Sequence, residues 1–485
     1  MRNETHLLGT STRQQIISLM PPILSRRRSG RKTSINLENG SRIGVIGGGP
    51  SGSFFSYFLL EMAERAGLDL QVDIYEPRDF SLPAPKGCNM CAGVISETLV
   101  QNLATEGINL PASVVQKAID SYVLHTDLGN QRIDAARHEK RIGAMFRGAG
   151  PRGIPETRFH GFDAHLLSLA TERGAHRIPF RVTAVERTEK GHKVVTNKNT
   201  AQDYDLLVVA AGVNSAALKL FEQGPTNYHP PQTTKTAIRE YFFSKEIIEK
   251  TFGNALHVFL LDIPNLDFAM IIPKGEVVSV CMLGKDINED LIRAFLTAPE
   301  VQTCFPDGWR WDQPDCHCMP RINVRPGFQP YGERLVFIGD SGVTRLYKDG
   351  IGAAYRAAKA AAACAVLQGI SAEDFRRYYA PFCRSIAVDN RYGRLIFFIT
   401  HLIQRVGFAR RAMLQMVAAE QAQPEAPKWM SSVLWDAFTG SAPYSDVFLR
   451  TLHPAFTSRY LRSLIGSLVG RDPSQTRSRT WNQVN

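Results

Sequence analysis

Three stretches of this 485-residue chain hold residue types whose spacing does chemistry. RIGVIGGGPSG, residues 42 to 52, sets Gly47, Gly49 and Gly52 at the G-x-G-x-x-G spacing. That is the chemistry of a phosphate cradle. Gly47 permits a tight turn, Gly49 lets the backbone approach a pyrophosphate, and Gly52 lets helix and strand pack closely, while Pro50 and Ser51 open a helix whose amides face the anion. GCNMCAGVIS, residues 87 to 96, holds Cys88 and Cys91 in a glycine-flanked loop. The pair reads as half a metal site, as a redox pair, or as two small residues packed in a tight loop. The third stretch, RLVFIGDSG at 334 to 342, ends an apolar run on Gly339 and Asp340, and Gly350-Ile351-Gly352 follows at the head of an alanine-rich segment.

These residues need elements that aim them. Ile43, Val45 and Ile46 predict a buried strand, SFFSYFLLEMAERAG at 53 to 67 has helical apolar spacing, and LQVDIYEP predicts a second strand ending in Glu76. The unit is β-α-β, with Glu76 near the position where an acid hydrogen-bonds a ribose hydroxyl. Adenine dinucleotide binding follows. YDLLVVAAGVNS at 204 to 215 predicts a strand opening into a turn at Gly212, and residues 335 to 338 predict another that delivers Asp340. Between 216 and 330 the pattern changes to short β-branched and aromatic runs, TAIREYFF, HVFLL, FAMIIPK and VVSVCML, with Lys274-Gly275-Glu276 as a hairpin tip. An antiparallel sheet is expected there.

Taken together, the glycine loop, the Gly-Asp pair and the glycine-headed helix resemble the FAD-dependent oxidoreductases with a glutathione-reductase-type flavin domain and the overall fold of para-hydroxybenzoate hydroxylase. Within that group, Phe268-Ala269-Met270-Ile271-Ile272-Pro273-Lys274 resembles the YxWxFPK segment of geranylgeranyl reductases, which saturate isoprenoid double bonds. Pro273 and Lys274 match; Phe268, Met270 and Ile272 replace the aromatic residues. Cys91-Ala92-Gly93-Val94 resembles their CGGGV loop, one glycine shorter. The resemblance implies FAD as cofactor, Asp340 on the ribityl hydroxyls and the backbone of Gly350, Ile351 and Gly352 at the flavin pyrimidine. It also implies Cys91 beside the flavin in proton or orientation duty, and a lipid-soluble, isoprenoid-like substrate against residues 268 to 274. Lys274 has the alternative of capping its hairpin in solvent. NADPH or a reduced electron carrier is the implied donor, although Ala211 stands where these folds often carry an Asp associated with flavin and NADPH contacts. The implied class is α/β: a Rossmann-like FAD-binding domain from 42–215 and 329–385, an antiparallel substrate sheet over 216–328, and a helical region from 386 to 485. A basic mobile arm, 1–41, precedes them.

Net charge is confined to the ends. The chain carries +11; residues 1 to 41 hold seven Lys/Arg against two Asp/Glu, and residues 386 to 485 hold twelve against six. The middle is neutral. Basic, apolar C-terminal segments, RYGRLIFFITHLIQRVGFARRAMLQMV and TSRYLRSLIGSLVGR, read equally as interfacial helices for an anionic membrane or as helices docked on the core. Nucleic acid is not expected, because the basic runs lack interleaved aromatics and a reader motif. No segment reaches the roughly 18–20 apolar residues of a bilayer crossing. Eight uneven cysteines form no disulfide framework, so the expected place is the cytoplasm, peripheral on the inner membrane face. No metal is expected; Cys316-His317-Cys318 is a poor chelating turn. Trp309 and Trp311 are expected to pack. A hydroxylase of the same fold and a quinone-reducing electron-transfer flavoprotein are the rival activities.

Overall fold

The computed structural model describes residues 34–135, 142–154, 158–222, 227–423 and 425–468. RRRSGRK at 26 to 32, the apolar segment at 14 to 24, Val469 and Arg471 lie outside them.

Six strands form the first sheet, in the order Tyr331–Gly332, Leu335–Phe337, Leu206–Val209, Arg42–Ile46, Gln71–Tyr75 and His176–Ile178. All neighbours run parallel except the first pair. Parallel strands are covered on both faces, which is why Ile43, Val45, Leu206, Leu207, Val208 and Val209 form near-continuous apolar runs and are fully buried. The helix Pro50–Ala66 follows the glycine loop with proline in its first turn and ends on Gly67 in the left-handed conformation. Its buried Phe54 and Phe58 meet Tyr355 edge-on, each at 5.5 Å between ring centroids. Tyr355 belongs to the helix Gly350–Leu367, where fully buried Ala357, Ala358, Ala361 and Ala362 allow close approach.

The second sheet holds the predicted runs in antiparallel pairing. Its order is Cys316–Cys318, Gln232–Phe242, Val277–Gly284, Leu266–Lys274, Ala255–Phe259, Ser121–Thr126 and Gly129–Asp134, with Arg321–Arg325 also pairing on Gln232–Phe242. Lys274 pairs with Val277 across a two-residue turn, and Gly275 adopts a φ of 58° there. Two strands of this sheet correct the sequence-based division. Ser121–Thr126 pairs parallel with Ala255–Phe259, so residues 121–134 belong with the larger sheet although they sit within the segment assigned to the cofactor half.

Alternation along Leu266–Lys274 splits this sheet between two cores. Phe268, Met270 and Ile272 face a cluster completed by Met413, Val417, Val433 and Leu434 of the C-terminal helices. Ala269 and Ile271 face the opposite cluster with Phe252, Phe295 and Leu296. Trp309 stacks on Phe305 at 3.5 Å and Tyr241 donates to the Trp311 carbonyl at 2.7 Å, so this tryptophan pair is packing, as expected. Helices Ala380–Arg405, Gly407–Gln421, Trp429–Thr439, Tyr444–Thr451 and Pro454–Leu468 follow.

Candidate functional site

The glycine loop is built so that only hydrogen fits at its two ends. A Cβ at Gly52 would overlap the Gly47 carbonyl oxygen, and Gly47, at φ 108°, donates its N–H to Tyr75 at 2.9 Å. Gly49 differs: the nearest atoms to a Cβ there are Asn89 Nδ2 at 3.4 Å and Arg147 Nη2 at 3.9 Å, so its edge is open and polar. Arg147 pairs with fully buried Asp163 at 2.8 Å, Asn89 donates to the same carboxylate, and Arg78 donates to Asn89. Sequence reasoning missed this network, whose members are scattered between residues 78 and 163 without a local pattern.

Glu76 directly follows the second strand, which ends one residue earlier than expected, at Tyr75, and it is buried. One carboxylate oxygen accepts the Gly48 N–H and the other the Arg78 N–H, both at 2.9 Å, and burial raises the carboxyl pKa. The Gly-Asp pair meets the glycine loop directly: a Cβ at Gly339 would overlap Ser51 Oγ. Asp340 follows, its carbonyl accepting from Asn323 Nδ2 at 3.0 Å. Gly212 donates to Ser341 Oγ at 3.2 Å, bringing the third motif to the same place. Around them Thr344 Oγ1 and Asn323 Oδ1 are buried without hydrogen-bond partners among the described residues.

Glycine cradle, acid, Gly-Asp pair and unsatisfied polar atoms fit the ribose, diphosphate and polyol of a flavin dinucleotide. Gly47, Gly49, Pro50, Ser51, Gly52 and Glu76 would hold the adenine-side ribose and diphosphate. Gly212, Gly339 and Asp340 would lie along the polyol.

The helix of Gly350, Ile351 and Gly352 begins after an unusual loop. Tyr347 and Asp349 both adopt left-handed backbone, at φ 59° and 54°. Such strain at non-glycine residues costs about 1–3 kcal/mol each and persists where the surroundings over-determine it. Here the Asp349 carboxylate is clamped by Ser96 Oγ at 3.0 Å, Arg356 at 3.1 Å and Arg345 at 3.8 Å, and it packs against Gly352. Between the two strained residues stands Lys348. Its ammonium lies 4.2 Å over the Phe268 ring and 2.8 Å from Met270 Sδ, and burial lowers its pKa to about 8.

The loop of Cys91 lies against the strand segment 266–274. Cys91 Sγ accepts the Gly93 N–H at 3.4 Å and interacts with Arg147; Ala92 and Val94 pack against the Phe268, Met270 and Ile272 cluster. Cys88 likewise accepts from Met90 N–H at 3.1 Å, and burial pushes its thiol up to about 11. Pro273 is buried within the strand. Lys274 corrects an expectation. It does not cap the hairpin in solvent: it is fully buried, 3.5 Å from Glu240, 4.7 Å over the Phe146 ring, and 3.4 Å from where a Cβ of Gly93 would stand. Among the described residues its Nζ makes no hydrogen bond. The aromatic wall that the sequence left thin is thickened from elsewhere: Phe397 stacks on Phe268 at 5.9 Å, and Tyr347 meets Phe397 edge-on at 4.9 Å.

A separate set of possible metal donors, His125, His257 and Cys304, lies buried in the opposite core. The two imidazoles hydrogen-bond each other at 2.9 Å and the thiol donates to Glu300 O at 3.2 Å, so the three are satisfied as they stand.

No protein-family model and no curated protein matches the chain. Solved structures do. A geranylgeranyl bacteriochlorophyll reductase-like protein from Thermoplasma acidophilum aligns with a TM-score of 0.60 at 15% identity, covering 85% of this chain and 99% of its own. A flavoprotein/dehydrogenase from Cytophaga hutchinsonii aligns at 0.58 and 13% identity, over 88% and 100%. Klebsiella pneumoniae HpxO, solved with FAD and uric acid, aligns at 0.53 and 18%, over 83% and 97%. The chain therefore has the fold of the FAD-dependent flavoprotein oxidoreductases, a geranylgeranyl reductase-like protein among them.

Proposed function

We propose that this protein is an FAD-dependent oxidoreductase that reduces carbon–carbon double bonds of a lipid-soluble, isoprenoid-like substrate. We assign 42–215, apart from 121–134, and 329–385 to a Rossmann-like FAD-binding domain and the larger sheet to substrate. The observation that carries the reading is the apolar wall of Phe268, Met270 and Ile272, thickened by Phe397, against which the Cys91 loop and the lysine before the glycine-headed helix converge. An unactivated alkene offers no carbonyl to take up charge, so reduction requires a hydride for one carbon and a proton for the other. When bound and reduced by NADPH or a reduced electron carrier, FAD supplies the hydride.

The chain's own residues supply the remainder. Lys348, with a pKa near 8, holds a proton at Nζ at neutral pH and sits on the apolar wall, which makes it the proton donor of choice. Cys91 orients the loop through Gly93 and Arg147. Lys274 supports that loop by packing against Gly93 and the Phe146 ring. The wall would exclude water and present a hydrocarbon substrate with no polar group to pair.

The test is to reduce the purified flavoprotein anaerobically with dithionite, add isoprenoid lipids and follow product mass. A gain of two hydrogens per bond with reoxidation of the flavin supports the reading. A hydroxylated product made with NADPH and oxygen, or quinone reduction with unchanged lipid, would replace it.

A further inference from the structure

Helix Ala380–Arg405 is packed on one side and bare on the other. Its inner side is secured: Cys383, Asn390, Gly393 and Gln404 are buried, and Phe397 stacks on Phe268. Its outer side exposes Leu395 (39%), Phe398 (61%), Ile399 (39%) and Leu402 (47%), and Phe408 (41%) continues the stripe into the next helix. Scattered apolar residues are ordinary on a surface, whereas a contiguous stripe on one helix face marks a contact. Exposed Arg391, Arg394, Arg405 and Arg411 flank it, and among the described residues none makes an ion pair or hydrogen bond. Arg410, which the sequence grouped with them, is buried instead and pairs with Asp127 at 2.7 Å. The last helix repeats the composition, exposing Leu461, Ile465 and Leu468 beside Arg462.

We propose that this outer face docks on the surface of an anionic lipid bilayer. Charge decides between occupants. A second copy meeting the face about a two-fold axis would set unpaired arginines against unpaired arginines. The chain's own N-terminal arm carries seven Lys/Arg and two Asp/Glu over residues 1 to 41, so it repels the same face. An anionic leaflet takes both the leucine and phenylalanine side chains and the guanidinium groups at their rim. No helix among the described residues is long and apolar enough to cross a membrane, which agrees with a helix lying in the interface plane. The inference stands on the helix surface and does not depend on which bond the flavin reduces.

The experiment is co-sedimentation of the full-length flavoprotein with vesicles of equal parts phosphatidylcholine and phosphatidylglycerol, and with phosphatidylcholine alone. Binding to the anionic vesicles, weakened by salt and weak on neutral ones, is expected. Arg391→Gln and Arg394→Gln should each lower the anionic-vesicle affinity about five-fold, and the double variant Phe398→Ser, Leu402→Ser should lower it by at least about ten-fold. Flavin absorbance and circular dichroism of each variant establish that the fold is intact. Equal binding by the apolar variant, or equal binding to neutral and anionic vesicles, overturns the proposal. So does dimerisation in light scattering that Phe398→Ser abolishes, which would assign the face to a second copy. Turnover plays no part in the assay, so a failure here leaves the proposed reaction standing.

Discussion

Gly52 leaves no room for a methyl group, because a Cβ would overlap the carbonyl oxygen of Gly47. Overpacking of this kind costs about 1–3 kcal/mol and moves the backbone that forms the cradle. Gly52→Ala is therefore expected to purify with little flavin absorbance while retaining its far-ultraviolet circular dichroism; full flavin content would remove the loop from the binding site. Lys348 makes a prediction of a different kind. Its folded pKa near 8 lies below the ordinary 10.5 because burial disfavours the ammonium. Between those values the unfolded chain binds more protons, so stability rises with pH across that window, while below it the penalty of the buried charge is constant. Lys348→Met should abolish that rise in urea denaturation and remove an activity limb near pH 8 where the proton donor is lost. An unchanged pH profile in Lys348→Met would rule out the assigned role.

At the scale of elements, the loop from Tyr347 to Asp349 has the most at stake. Two left-handed residues are held by one carboxylate that Ser96, Arg345 and Arg356 share. Arg345 also donates to Gly440 O and Ala442 O and lies 4.2 Å over the Tyr444 ring, so the clamp joins the glycine-headed helix to the C-terminal helices. Asp349→Ala removes the carboxylate that faces Arg356 and buried Arg345 and should destabilise by about 3–5 kcal/mol. Asp349→Asn keeps hydrogen-bond acceptance and tolerance of left-handed backbone, so it should recover part of that loss. Urea midpoints of the two variants and of the unaltered protein make the comparison, and three equal midpoints would show that the clamp contributes nothing.

At the scale of the whole molecule, the candidate cofactor site draws on the glycine loop, the strand before Gly212, the Gly-Asp pair and Asn323 from the larger sheet's edge. A ligand held by segments so far apart in sequence stabilises their assembly by mass action, about 2.7 kcal/mol at a hundred-fold excess over Kd. Calorimetry should find the flavin-free protein melting lower, with added FAD restoring the transition. No shift on adding FAD would contradict the site.

The sequence by itself determined the parts whose signal is local. Strand periodicity, the glycine spacing before a helix, the Gly-Asp pair and the turn at Gly275 each span a dozen residues or fewer, and backbone sterics force their reading. Tertiary structure alone decided what those parts meet. Residues 121–134 joined the larger sheet because a parallel partner, Ala255–Phe259, is invisible to local pattern. Lys274 looked solvent-bound because it adjoins a turn, yet the hairpin end is tucked beneath Phe146 and the Cys91 loop. Arg147 with Asp163, Lys348 on Phe268, and Phe397 completing the wall are likewise contacts between residues remote in sequence. Such contacts follow from how whole elements pack, and no window along the chain contains both partners.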